Sequence, residues 1–307
     1  MTQLRTALPE IRRPRLRALL AENRLLRALE CHNPLSALLA SSAYGNHKGT
    51  RVEFDMLWTS GFSHATSLGL PDAELSWLER RLDSIADIAA VTEKPLLVDA
   101  DTGGDSLALG LLCRRLEILG VSGVVIEDKS GAKRTSLASD VDHELEDPET
   151  FVQKLEDARQ SLQTRDFLLF ARTESLIAGR GVEHALARAA RYLRSSADGI
   201  VVHSKERSGA EMLEFMEAYR RLQTELHIEK PLICIPTAYN HLTGTQLHAA
   251  GARIVIHANH MVRAAFHGMQ RAAQSILEQD RSLEADELCA PLDQVFSAIG
   301  TGAVNGK

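Results

Sequence analysis

The sequence predicts an α/β fold, a closed (β/α)8 barrel of the TIM type, and two observations support that prediction. Short apolar runs alternate with amphipathic helical patterns along the whole chain, which is typical of a parallel sheet covered by helices. Eight such runs are present, and eight strands close this kind of barrel. The 307 residues show no linker or break in composition, so we expect a single domain spanning residues 1–307.

The eight predicted strands are short and apolar. In chain order they are Leu26–Cys31, Phe54–Thr59, Leu96–Asp99, Gly123–Ile126, Phe167–Ala171, Gly199–His203, Leu232–Ile235 and Arg253–Ile256. The helical stretches between them each carry one apolar stripe at steps of three and four residues, as in Leu75, Leu78, Leu82, Ile85 and Ala89. We expect these stripes to pack against the outside of the sheet.

Three segments lie outside this repeating pattern. The arginine-rich N-terminus has helical periodicity, which predicts a solvated helix packed on the body, with apolar positions at Leu16, Leu19, Leu20 and Leu26. The polar, glycine-containing stretch Ser41–Val52 predicts an exposed loop. An extra C-terminal helix has a stripe formed by Val262, Phe266, Met269, Ala273 and Ile276. Because the barrel does not need that stripe, it predicts a partner subunit.

Composition excludes several classes of protein. A formal charge of −6 and an aromatic content of 5% argue against a nucleic-acid partner. No apolar run approaches the length of a membrane span, so we expect no membrane partner and a cytoplasmic location. Cys31, Cys113, Cys234 and Cys289 are too scattered to indicate a zinc site or a disulfide framework.

Polar residues follow every predicted strand, which is where a barrel of this type holds its chemistry. Asp72, Asp99, Asp101 and Glu127 could supply anionic oxygens for one cation. Arg172 and His203 could supply positive donors for an anionic substrate. Such a set suits a small oxyanion bridged by a metal ion, namely a phosphate, a phosphonate or a 2-oxo acid.

The stretch Leu96–Ser106 is the centre of this set. Asp99 and Asp101 are two residues apart at the end of a strand, so alternation predicts that both side chains face the same way. Like charges held close together require a cation, and hard carboxylate oxygens favour Mg²⁺, with Mn²⁺ also possible. The alternative is a pair of exposed loop carboxylates without function.

A series of motifs in order resembles the phosphoenolpyruvate mutase/isocitrate lyase superfamily, over about Leu26 to Arg263. The motifs are Trp58-Thr-Ser-Gly, Leu70-Pro-Asp72, Asp99-Ala-Asp-Thr-Gly103, Glu127-Asp-Lys129, Ala171-Arg-Thr-Glu174, Ile177-Ala-Gly179, His203-Ser-Lys205, Pro236-Thr237 and Asn259-His260. The resemblance implies a Mg²⁺-dependent barrel that assembles as a tetramer or dimer and exchanges a C-terminal helix between subunits.

The resemblance also implies roles for individual residues. Ser60, Gly61 and Phe62 would hold the pyruvoyl part of the substrate, and Arg172 and His203 would hold its phosphoryl group. Asp99 would bind Mg²⁺ directly, while Asp72, Asp101 and Glu127 would act largely through water. Lys133 and Thr135 lie in the stretch Glu127–Leu137, which resembles the family's mobile gating loop, and would cover the substrate.

The gating stretch also separates the branches of the family. The lyases have a catalytic cysteine beside Lys-Arg, where this chain has Thr135, and the mutases have Asn followed by Ser. Thr135-Ser136-Leu137 is more similar to the phosphonopyruvate hydrolases. We therefore expect hydrolysis of phosphonopyruvate to pyruvate and phosphate. The alternatives are the mutase reaction, a related C–C lyase or hydrolase, and a barrel that binds a 2-oxo acid without turnover.

Overall fold

The computed structural model describes residues 6–73, 78–131, 133–136, 138 and 141–301. Within these residues the strands are β1 (Leu26–Glu30), β2 (Tyr44–His47), β3 (Thr50–Glu53), β4 (Met56–Thr59), β5 (Leu96–Asp99), β6 (Gly123–Glu127), β7 (Leu168–Thr173), β8 (Gly199–Val202), β9 (Leu232–Cys234) and β10 (Ala252–His257). The helices are α1 (Pro9–Arg12), α2 (Arg15–Ala21), α3 (Pro34–Ser42), α4 (Gly61–Ser67), α5 (Leu78–Ala89), α6 (Ser106–Ile118), α7 (Pro148–Ser161), α8 (Gly181–Leu193), α9 (Ala210–Leu226), α10 (Gly244–Ala250), α11 (His260–Gln279) and α12 (Leu292–Ala298), with a 3-10 turn at Glu284–Leu288.

Eight of these strands form a closed parallel barrel in the order β1, β10, β9, β8, β7, β6, β5, β4, and β4 pairs with β1 to close it. The predicted (β/α)8 fold is therefore confirmed, with strand ends that differ by one or two residues from the prediction. Alternate strand residues fill the interior, among them Met56, Trp58, Phe170 and Ile254. The opposite faces pack against the surrounding helices, including the buried Leu82, Ile85 and Ala89 of α5. Leu75 lies outside the described residues.

The N-terminal segment closes the amino end of the barrel. Leu16 of α2 is fully buried in the interior cluster, and Arg12 is only 2% exposed. The Arg12 guanidinium donates to the carbonyl oxygens of Ala89 at 2.6 Å and Thr92 at 3.0 Å. In place of the single solvated helix that was expected, two short helices cover the amino end of the barrel. Leu26, which was assigned to that helix, belongs to β1. Unmet carbonyl groups at the end of α5 explain why an arginine is buried there.

The stretch Ser41–Val52 is largely exposed, as expected, but it is not a loop, so that part of the prediction was wrong. It contains the end of α3 and most of an antiparallel hairpin of β2 and β3. Lys48 and Gly49 have φ values of 51° and 82°, the conformation that a two-residue type I′ turn requires. The hairpin connects a helix to the following strand, so it lies on the amino side of the barrel.

The C-terminal segment is largely solvent-exposed. In α11, Val262 is buried, whereas Phe266 is 60% and Met269 is 67% exposed. Cys289, after the 3-10 turn, is also exposed, while the other three cysteines are buried. No helix within the described ranges is long and apolar enough to cross a membrane.

Candidate active site

The predicted site residues converge at the carboxyl ends of the barrel strands. They surround a cavity whose lining includes Ser60, Phe62, Asp72, Asp99, Glu127, Lys133, Thr135, Arg172 and His203. Gly61 and Asp101 lie directly beside this lining, because the Gly61 N–H is 3.4 Å from Asp99 Oδ2 and the Asp101 N–H donates to Asp99 Oδ1 at 3.2 Å. The structure thus brings the scattered sequence motifs to one place.

Asp101 reaches this position through a turn and not through the strand. β5 ends at Asp99, and Asp101 has a φ of 54°, in the left-handed region that few residues other than glycine adopt. Strand alternation therefore does not apply to Asp101, although the Asp101 N–H keeps the two residues adjacent. We call residues 99–103 the acidic turn.

Two cations neutralise the Asp101 carboxylate. Arg81 of α5 donates from Nη1 to Asp101 Oδ2 at 2.8 Å, and its Nη2 donates to the carbonyl oxygen of Asp99. Lys133 donates to Asp101 Oδ1 and lies 3.1 Å from Asp72 Oδ1. Lys133 was among the predicted residues, whereas Arg81 was missed because no motif or strand end marks it in the sequence.

Gly61 is required here for close approach. A methyl group on Gly61 would lie 2.8 Å from Lys133 Nζ and 2.9 Å from Asp101 Oδ2. Both distances are too short for non-bonded atoms, so a larger residue would push the lysine and the acidic turn apart.

On the opposite side of the cavity, Arg172 belongs to a buried network. Its Nε donates to Glu174 Oε1 at 2.6 Å, and its Nη2 donates to Ser136 Oγ at 3.1 Å. Ser136 donates to Glu174 Oε2 at 2.6 Å and accepts from Lys129 Nζ at 2.9 Å. Burial alone would raise the pKa of Glu174, but Arg172 and then Lys129 lower it to about 2. The guanidinium is therefore fixed in orientation.

His203 is neutral in this setting, so the expectation that it supplies a positive charge is corrected. Burial, and next the Arg172 guanidinium, lower the pKa of His203 to about 3. Arg172 Nη2 lies 3.1 Å from His203 Nδ1, and because a guanidinium only donates, Nδ1 accepts and the proton resides on Nε2. Nε2 has no protein partner among the described residues. His203 thus offers one N–H for a ligand.

Asp99 and Glu127 are the carboxylates that suit a metal ion. Among the described residues, Asp99 accepts only main-chain N–H groups, and Glu127 Oε1 accepts no hydrogen bond although Lys129 Nζ is 3.3 Å away. Burial, together with Glu174, raises the pKa of Glu127 to about 8 against the opposing effect of Arg172. No three acidic, histidine or cysteine side chains of the described chain enclose a metal position. Mg²⁺ commonly uses one or two carboxylates and completes its shell with water and substrate, so the residues fit it.

Two further residues, Asn259 and Asp128, differ in whether they reach the cavity. Asn259 follows the last barrel strand, has a φ of 57°, lines the cavity and leaves its Oδ1 without a partner in the described part of the chain. The sequence marked it by its position at a strand end and by the motif Asn259-His260, but gave it no role. Asp128, in contrast, is part of a predicted motif but is structural, since it accepts from Arg188 and Tyr192, each at 2.6 Å.

A profile of the family described as Phosphoenolpyruvate phosphomutase matches residues 16–277. The chain belongs to this family. Within this family, phosphonopyruvate hydrolase of Variovorax sp. (strain Pal2) is 33% identical to this chain, over 93% of each. Phosphoenolpyruvate phosphomutase of Tetrahymena pyriformis is 32% identical over 89% of this chain and 86% of its own length. These relatives are enzymes, and the chain is an enzyme of the same family.

Solved structures of the family agree with the fold. Phosphoenolpyruvate phosphomutase from Streptomyces platensis subsp. rosaceus superposes with a TM-score of 0.87 at 32% identity, covering 95% of this chain and 96% of that one. Phosphonopyruvate hydrolase in complex with oxalate and Mg²⁺ gives a TM-score of 0.84 at 31% identity, covering 96% and 97%.

Proposed function

We propose that this enzyme cleaves the P–C bond of phosphonopyruvate with water, giving pyruvate and phosphate. The observation that carries the proposal is a single cavity that Asp99 and Glu127 line together with Arg172 and His203. Within the described residues, Asp99 accepts only main-chain N–H groups, Glu127 Oε1 accepts no hydrogen bond, and His203 Nε2 has no partner. An anion that also coordinates a metal suits this arrangement. The similarity to phosphonopyruvate hydrolase and phosphoenolpyruvate phosphomutase supports the same substrate.

The phosphonyl and pyruvoyl ends of the substrate would contact different sides of the cavity. Arg172 and the Nε2–H of His203 would hold the phosphonyl oxygens, because both present donors and neither can accept there. Ser60, Gly61 and Phe62 would hold the pyruvoyl end beside the acidic turn. This assignment orients the P–C bond across the cavity.

Asp99 would hold Mg²⁺, or Mn²⁺, directly, with Asp72, Asp101 and Glu127 acting through water. When bound, such a cation supplies Lewis-acid stabilisation of negative charge on the pyruvoyl oxygens. The similarity to a phosphonopyruvate hydrolase solved with oxalate and Mg²⁺ supports this choice.

In the reaction, the P–C electron pair stays with the substrate carbon and delocalises into the neighbouring carbonyl group. The phosphorus forms a new bond to the oxygen of water, and the carbon finally takes a proton, so that the atoms balance as pyruvate plus phosphate. Arg172 and His203 stabilise the transferring group, whose transition state is loose and spreads charge over its oxygens. Their fixed positions favour this charge distribution without reorganisation.

Thr135 would decide where the phosphoryl group goes. The neighbouring Ser136 hydroxyl is fully engaged by Glu174, Lys129 and Arg172. Thr135 also lines the cavity, and its hydroxyl would be the one to orient water. The second candidate, the mutase reaction, returns the group to the enolate oxygen. The equally high similarity to phosphoenolpyruvate phosphomutases keeps it in consideration.

The direct test mixes the purified enzyme with phosphonopyruvate and Mg²⁺ and follows phosphorus by NMR. We expect inorganic phosphate to appear in step with pyruvate. A phosphoenolpyruvate signal would instead identify the mutase reaction, and the absence of both products would refute cleavage of this bond.

Replacing Asp99 with Asn should reduce turnover by at least about a thousandfold, because the metal ligand is lost while the shape is kept. Asp105→Asn is the matched control: Asp105 is exposed and its side chain accepts the N–H of Ala108 at 2.8 Å, a cap that Asn preserves. Circular dichroism checks that both variants fold. Normal turnover in Asp99→Asn would refute the metal assignment.

Thr135→Asn should shift the products from phosphate toward phosphoenolpyruvate, measured as the ratio of the two phosphorus signals. Thr135→Ser keeps the hydroxyl and should keep the wild-type ratio. If the Asn and Ser variants give the same ratio, Thr135 does not control the outcome.

A further inference from the structure

We propose that Arg81 is a permanent counter-cation of the acidic turn and weakens the binding of a divalent cation at Asp99. The proposal rests on the metal site of the proposed function and adds a residue that sets its affinity.

The contacts of Arg81 bridge both aspartates of the turn. Its guanidinium donates to the side chain of Asp101 at 2.8 Å and, through its other nitrogen, to the main-chain oxygen of Asp99. The Arg81 side chain is 15% exposed and that of Asp101 is 5% exposed, so the ion pair is shielded from solvent. Arg81 lies on α5, a helix whose buried face packs on the barrel, so its charge is held in place.

The Asp99 carboxylate is left on the other side of this contact. Its oxygens accept the N–H groups of Gly61 and Asp101, and it lines the cavity, whereas Asp101 does not. A cation bound to Asp99 would therefore approach the turn from the cavity while Arg81 holds it from behind. The divalent cation would then add two positive charges close to the charge of Arg81.

Charge balance explains why such a residue would be present. Buried carboxylates without a partner are strongly destabilising. Arg81 and Lys133 together pair both oxygens of Asp101. The Asp101 carboxylate thus stays neutralised when no metal is bound, and the cost is repulsion between Arg81 and a metal ion that binds at Asp99.

A purely positioning role for Arg81 predicts a change in metal affinity of the opposite sign to the one expected from its charge. If Arg81 served only to orient Asp101 and the turn, its removal would loosen the site and weaken metal binding. If its charge dominates, removal strengthens binding. The sign of the change therefore separates the two roles.

The experiment titrates Mn²⁺ into the folded protein and measures free Mn²⁺ by electron paramagnetic resonance. Arg81→Met should bind Mn²⁺ about tenfold more tightly than wild type, since a full positive charge is removed nearby. Arg81→Lys keeps the charge and Arg80→Met removes an exposed charge from the neighbouring position; both should stay within about twofold of wild type.

Thermal unfolding gives a second readout that does not depend on activity. Without metal, Arg81→Met should unfold at a lower temperature than wild type, and saturating Mn²⁺ should raise its midpoint by more than it raises that of wild type. Unchanged or weaker Mn²⁺ binding by a folded Arg81→Met overturns the role of Arg81. Absence of Mn²⁺ binding by wild type overturns the metal site itself.

Discussion

At the scale of single residues, the site is governed by which polar groups are already engaged. Glu174 and Ser136 use their hydrogen-bonding capacity on Arg172, and Asp101 uses both carboxylate oxygens on cations. Within the described residues, Glu127 Oε1 and His203 Nε2 have no hydrogen-bond partner, and Asp99 accepts only main-chain N–H groups. The second group is therefore the part of the site that can bind a ligand.

His203 should make the protein sensitive to acid. Its pKa is about 3 in the folded protein and about 6.5 in an unfolded chain, so between these values the unfolded state binds a proton that the folded state does not. The free energy of unfolding should fall as pH decreases from 6.5, by up to about 1.4 kcal/mol per pH unit from this residue.

Urea unfolding at several pH values between 7.5 and 4.5 measures this effect. His203→Gln should show a shallower loss of stability than wild type, whereas the same change at the exposed His47 should follow wild type. Parallel curves for wild type and His203→Gln would show that folding does not lower the pKa of His203.

At the scale of elements, periodicity was sufficient for the barrel but not for segments that depend on turn geometry. Runs of apolar residues located all eight barrel strands, because each is buried on both faces. The hairpin of β2 and β3 was missed because its strands are polar and exposed, and only the left-handed Lys48-Gly49 pair defines it. Arg81 was missed for a related reason, since a charged residue on an amphipathic helix usually lies in solvent.

The hairpin offers a clean test of backbone strain. Gly49→Ala should destabilise the protein by about 1 kcal/mol, because its φ of +82° is strained for any residue with a side chain. Nothing within 4 Å would contact the added methyl group, so the change tests backbone strain alone. Gly45→Ala in the neighbouring strand meets only ordinary contact with Val52 and should be neutral or stabilising. Denaturant unfolding gives both values. Turnover should be unchanged in both variants, since the hairpin is on the amino side of the barrel; equal effects of the two changes would contradict the turn assignment.

At the scale of the whole molecule, the two ends of the barrel have different tasks. The amino end is filled by Leu16 and tied by Arg12 to carbonyl oxygens, while the carboxyl end carries the cavity. The exposed apolar residues of α11, Phe266, Met269 and Ile276, contribute to neither end. We therefore propose that they form the contact of an even-numbered homo-oligomer, a tetramer or a dimer.

Replacing Phe266 and Met269 together by Glu should convert that oligomer to a monomer, because both side chains are more than half exposed in the single chain and would be buried by a partner. Light scattering during size-exclusion chromatography measures the mass. Gln270→Glu adds charge to the same helix at a polar position and should leave the oligomer intact. A wild-type monomer, or an unchanged mass in the double variant, would refute this contact.

The distribution of the cysteines provides a means to observe the C-terminal segment directly. Burial raises the pKa of the Cys31, Cys113 and Cys234 thiols, so all three resist alkylation, whereas Cys289 is exposed. A maleimide fluorophore should therefore attach at Cys289, between the 3-10 turn and α12, without any engineered residue. Energy transfer between donor- and acceptor-labelled chains after mixing would then report how fast subunits exchange.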